Sequence, residues 1–253
     1  MPGATEAGFW GLVGGSALLI GAAIAYAVHL PQRVIAVMAI EAGVLISAVA
    51  FDLMDEAYAR GGFDSTAFGF LAGAVVYTLA NIVVSRSGAE HRKRSGSNPH
   101  QSQASADDSS GLAIAVGALP DGIPESIVIG VSLLHGTGVS GVTVAAVFLS
   151  NVPEGLSSAA GMKKAGRGPA YIFGVWGAIA IASALAAAAG YVAPAGAGPD
   201  LVEGTTAVAA GAILAMLVDT MIPEATEETN EFSGLIAVAG FLLAFVLTKL
   251  GGR

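Results

Sequence analysis

Pro120-Asp121-Gly122-Ile123-Pro124-Glu125-Ser126 and Ser150-Asn151-Val152-Pro153-Glu154-Gly155 each set a proline and a carboxylate inside an apolar run long enough to cross a membrane. An acid at the centre of a membrane helix costs about 2.5–3.5 kcal/mol on insertion scales. A proline removes a backbone donor, so the carbonyl four residues earlier loses its helical partner. The chain bears both costs twice, with the same Pro-Glu-small ending. That pattern marks a polar site deep in a bilayer.

The surroundings agree. The 253 residues are 54% hydrophobic and 12% charged, whereas soluble domains carry about 25% charge. The expected class is an all-α, polytopic membrane protein forming one transmembrane domain, residues 1–253. Its 35 glycines let helices approach closely where no hydrophobic effect drives them together. Without cysteine there are no disulfides and no thiolate ligands. A net charge of −8 argues against nucleic acid as a partner.

Runs of spanning length lie near 8–29, 34–54, 67–85, 111–134, 140–161, 170–192, 204–224 and 233–250. They predict eight membrane helices. The polar stretch 86–110 reads as a flexible cytoplasmic loop. Arg33, Arg86, Arg92, Lys93, Arg94, Lys163, Lys164 and Arg167 fall in alternate gaps, which predicts that those gaps are cytoplasmic and both termini outside. The bilayer expected is a plasma or inner membrane.

Gly43–Ala57 (GVLISAVAFDLMDEA) and Gly211–Ala225 (GAILAMLVDTMIPEA) align with Gly43 on Gly211, Leu53 on Met221 and Glu56 on Glu224. They lie on the second and seventh spans, which run in opposite directions. This predicts an inverted repeat of spans one to three against six to eight, with a site near the midplane.

On the fourth span Asp121 and Glu125 share a helix face, as do Ser150, Asn151 and Glu154 on the fifth. If the faces meet, three carboxylates, an amide and a hydroxyl converge. An all-oxygen set suits a divalent cation, and carboxylates also take protons. Glu41, Asp52, Asp219 and Glu224 are candidate pathway or proton sites, with Asp52, Asp55 and Glu56 as an outer acidic mouth. His135 and His29 sit at span ends and read as interfacial. No phosphate loop, nucleophile elbow or HExxH sequence is present, so the chain reads as no enzyme and needs no organic cofactor.

Asp121–Ser126 (DGIPES), Ser150–Gly155 (SNVPEG) and Ile222–Ala225 (IPEA) resemble the motifs of the ZIP (Zrt/Irt-like) metal transporters. The resemblance implies eight helices arranged three, two and three, a homodimer, and transport of a divalent metal of the zinc, iron or manganese class between the fourth and fifth helices. Glu125 and Glu154 match the family glutamates. Asp121-Gly122 stand where His-Asn is common, Ser150 where His or Gln is, and 171–189 lacks the family's acid on the sixth helix. The loss of nitrogen ligands implies a harder ion, manganese, iron(II) or magnesium, and one principal site. Two other readings use the same residues: a proton-coupled transporter of another small solute, and a membrane scaffold or sensor that does not transport.

Overall fold

A computed structural model describes residues 2–27, 36–84, 122–136, 138–164, 166–229 and 232–251. Asp121 and the expected loop at 86–110 lie outside the described residues, as does the side chain of Glu224. The described residues are all-helical, with no strand. Helix α1 is Pro2–Ala27, α2 Ala36–Ala48 and α3 Met54–Val84. Helix α4 is Gly122–His135, ending in a 3₁₀ turn at Leu133–His135. Then come α5 (Gly141–Lys164), α6 (Pro169–Val192), α7 (Pro199–Met216), α8 (Ile222–Thr229) and α9 (Ser233–Gly251).

Among the described residues five segments are long and apolar enough to cross a membrane: Gly3–Ala27, Ala39–Val83, Pro169–Val192, Pro199–Met221 and Ser233–Leu250. This is a multi-pass membrane protein. Its outward faces are apolar, as lipid requires: Phe68, Leu71 and Val76 on α3, Leu185 on α6 and Leu242 on α9 are exposed.

Eight separate spans were expected, and the difference has physical causes. Helix α5 has the length but carries Ser150, Asn151, Pro153, Glu154, Ser157 and Ser158, which lower its hydropathy. Of the fourth expected span, only Gly122–His135 falls within the described residues. Ala39–Val83 counts as one segment of 45 residues, which as a straight helix would reach about 68 Å, over twice the roughly 30 Å of a hydrocarbon core. The expected linker at 55–66 is instead helical on both sides of Gly62, with Glu56 and Arg60 paired one turn apart at 3.1 Å. Gly62 alone leaves the helix, at φ 74 and ψ −179, a conformation that glycine adopts without strain.

The chain reverses there. After Gly62, α3 runs alongside α7 in the same direction: Ser65 bonds the Asp200 carbonyl, Gly69 meets Gly204 and Ala207, and Gly73 meets Val208. Before Gly62 the direction is opposite. Glu56 lies at the Glu203 end of α7 through His135, whereas α2 reaches the far end, at Leu217–Met221 and α8.

The helices pack as two groups. Helix α1 lies on α5 and α6, and α4 joins them by backbone contact of Gly130 with Ala187. Helix α2 lies on α9, and α3 on α7. Leu45, Val49, Leu53, Tyr77, Ile213 and Met216 form the core of this second group, which Val128 of α4 enters from the first. Across the seam between the groups α2 also lies on α5, with Val44, Ala146 and Ala244 in contact. Each group therefore draws helices from both triplets of the expected repeat.

One pattern recurs within the packing. The Ala237 carbonyl fills the space that a Cβ on Gly43 would need, and the Phe70 carbonyl does the same at Gly211, the aligned position. The Ile40 carbonyl abuts Gly240, and its counterpart, the Val208 carbonyl, abuts Gly73. The displacement that takes Gly43 onto Gly211 also takes Val49–Leu53 onto Leu217–Met221, residue for residue, and both segments are π-helical turns.

Because carbonyls fill those spaces, Gly43→Ala and Gly211→Ala are each expected to cost about 1–3 kcal/mol, read as a lower Tm in detergent. Gly161→Ala, where nothing lies within 4 Å of the added methyl, is expected to leave Tm unchanged or raise it.

Candidate functional site

Helix α4 enters the described structure at Gly122. Pro124 sits in its first turn, and Ser126 donates back to the Gly122 carbonyl at 2.7 Å. Helix α5 runs through Pro153 without a break. Glu125 lies ten residues from His135 and Ser150 nine from Gly141, so each is roughly 15 Å along its helix from the same end of the bundle. That is about half a hydrocarbon core.

The two helices meet at this depth. Ser150 Oγ donates to Glu125 Oε2 at 3.4 Å, and also to the Val147 carbonyl at 2.9 Å. Glu125 is 3% exposed and Glu154 5%, with Ser150 fully buried between α4 and α5. The expected pairing of the two faces is thus present at Glu125 and Ser150. Glu154 lies one turn further along α5, enclosed in the same group.

Asn151 is different. Its Nδ2 donates to the Gly14 carbonyl of α1 at 3.0 Å, while its Oδ1 is buried without a hydrogen bond. Sharing a face with Glu154 did not decide its partner, because α5 has α1 on one flank and α4 on another.

Glu125 borders a cavity of about 20 Å³ at the seam between the helix groups. Leu45, Val49, Asp52, Val128, Thr143 and Ile213 also line it. A water needs about 10–15 Å³ in this measure, so the space has the volume of one water, and the wall it presents is apolar. Asp52, in the π turn of α2, accepts from Thr248 of α9 at 3.1 Å and borders a second small cavity against α9. Turns of this kind recur at functional sites.

The remaining candidates are dispersed. Glu41 is buried on α2, at 2% exposure. Asp219 is exposed in the second π turn, where the neighbouring Thr220 donates to the Met216 carbonyl. The expected acidic mouth is not open: Thr248 holds Asp52, Arg60 and His135 hold Glu56, and only Asp55 is fully exposed. Among the described residues no three His, Asp or Glu side chains converge as a metal cage. The described part of the expected site is two glutamates with Ser150 and Asn151.

One cluster was missed. The place of His135 at a span end implies an interfacial residue, yet its side chain is only 7% exposed. Its Nδ1 lies 3.0 Å from Glu56 and its Nε2 3.2 Å from Glu203. Glu203, at 2% exposure, was not singled out at all. An acid four residues past Pro199 and a histidine closing an apolar run are ordinary helix-end residues, and no spacing links them.

No protein-family profile matches the chain, and a search of curated proteins finds no match. The reading of the site rests on its residues.

Asn151→Ala is expected to cost about 1 kcal/mol through loss of the bond to Gly14. Asn151→Asp is expected to lower Tm further at neutral pH, since it sets a carboxylate oxygen against that carbonyl. Melting curves of the metal-free protein in detergent check the order.

Proposed function

We propose that the protein moves a divalent metal cation across the membrane by alternating access through the seam at Glu125. The observation that carries this reading is the Glu125–Ser150 contact: two helices bring a buried carboxylate and a hydroxyl together about 15 Å along each helix from the same end of the bundle. Glu154, one turn away, and Asp121, adjacent in sequence to the start of described α4, complete the ligand set in this reading. An ionisable side chain inside a bundle of membrane helices is a functional-site candidate by default, which favours a functional role over simple helix glue. The oxygen-only donors favour manganese, iron(II) or magnesium over zinc.

The membrane topology in this reading has eight passes: α1, the two limbs of α3 with α2 extending the first, α4, α5, α6, α7 and α9. The matched glycines and π turns of α2 and α7 support an inverted repeat of three helices on either side of α4 and α5. The ZIP-like arrangement of three, two and three is consistent with that. The end bearing Gly62 and His135 is assigned outside, from the Lys and Arg distribution.

A proton-coupled carrier of an organic solute is disfavoured by the size of the cavity, and a scaffold without transport by the two buried glutamates.

Liposomes holding the full chain should take up at least one of Mn²⁺, Fe²⁺, Mg²⁺ and Zn²⁺, more slowly at acid pH because protons compete for the carboxylates. Glu125→Ala and Glu154→Ala should each lower uptake by about tenfold or more. Wild-type uptake of every ion by both variants would sink the assignment.

A further inference from the structure

Glu56, His135 and Glu203 come from three helices and both helix groups. His135 closes α4 in the first group, whereas Glu56 on α3 and Glu203 on α7 belong to the second. They are the described charged contact across the seam at that end, about 15 Å along α4 from Glu125. The charged groups facing the imidazole are Glu56, Arg60 and Glu203; Arg60 pairs with Glu56 at 3.1 Å. Asp55, Asp64 and Asp200 on the same elements are exposed.

Proton counting fixes what this geometry needs. A neutral imidazole has one N–H and one bare nitrogen. With both glutamates ionised, one imidazole nitrogen has a donor for its carboxylate, and the other faces a carboxylate oxygen lone pair to lone pair. One added proton removes the conflict, either on the imidazole, so that both nitrogens donate, or on Glu203, which then donates to Nε2. The unfinished side is visible. His135 Nε2 and Glu203 Oε1 are 3.2 Å apart without the alignment of a hydrogen bond, and Glu203 Oε2 is buried without a partner. The two nitrogens of one ring face different carboxylates, so no single metal ion can use all three side chains.

We propose that Glu56, His135 and Glu203 form a proton-binding site that clasps the two helix groups at the Gly62 end when it holds one added proton, and lets them part when that proton leaves. Lower pH closes the clasp and higher pH opens it. The ligand is a proton whatever ion the seam carries, and the test contains no metal.

The chain has no cysteine, so spin labels at Asp64→Cys and Gly141→Cys, both exposed near this end on opposite groups, report the gap by pulsed EPR in metal-free liposomes. The ratio of short to long distances should fall with rising pH, approaching about tenfold per unit, the slope of one proton. Glu203→Gln should hold the short distance throughout, because the amide donates to neutral His135 without an added proton. His135→Ala should give the long distance throughout. A distance that ignores pH in the parent pair, or a Glu203→Gln pair that keeps the parent's pH profile, overturns the proposal. If the labelled pair does not reconstitute, Tm of the cysteine-free protein in detergent is read against pH. The parent should lose Tm across the same step and Glu203→Gln should not; superimposable profiles overturn the proposal.

Discussion

A carboxylate inside a bilayer has to be walled off from lipid, and the arrangement of α4 and α5 follows from that requirement. Glu125 and Glu154 are enclosed by helices rather than turned to the outer surface. Enclosure needs close neighbours. Helix α5 is held by α1, and α4 lies against α6 where the backbones of Gly130 and Gly190 touch the opposite helix. Small residues make those approaches possible, and in lipid, close packing with internal hydrogen bonding is what holds helices together. The glycine-rich composition and the buried acids are therefore two sides of one constraint.

Polar side chains lie both at the seam and inside the first group, where Asn151 of α5 bonds Gly14 of α1. Each group has its own apolar core, around Trp176, Leu18 and Ile172 in one and around Leu45, Ile213 and Met216 in the other. Glu125, Asp52 and Thr143 border the space between them. The paired glycine contacts of α2 with α9 and of α7 with α3 make the second group nearly symmetric within itself. The first group holds α4 and α5, with Glu125, Ser150, Asn151 and Glu154.

Hydropathy and the paired Pro-Glu motifs made the membrane class and the α4–α5 contact legible in the sequence. The Gly43 and Gly211 alignment pointed to paired positions that turned out to make matching backbone contacts. Other features were hidden for identifiable reasons. The π turns leave no signature of their own: Val49–Leu53 and Leu217–Met221 each read as apolar helix carrying one aspartate, Asp52 or Asp219. The stretch after Leu53 looked like a linker because it is charged, yet Glu56 and Arg60 stabilise a helix that continues to Gly62. Asn151 has two flanks available, and periodicity gives a face but not a neighbour. The contact of His135 with Glu56 and Glu203 depends on three helix ends meeting, which only the tertiary fold determines.

Gly62 has one further effect, and it is mechanical. The chain turns there at a single residue, so no spare length separates the limb that packs on α9 from the limb that packs on α7. An axial shift of one limb therefore carries the other with it, while the two free dihedrals of a glycine leave their relative tilt adjustable. The hairpin thus couples the helices packed on α9 and on α7 in height along the bundle.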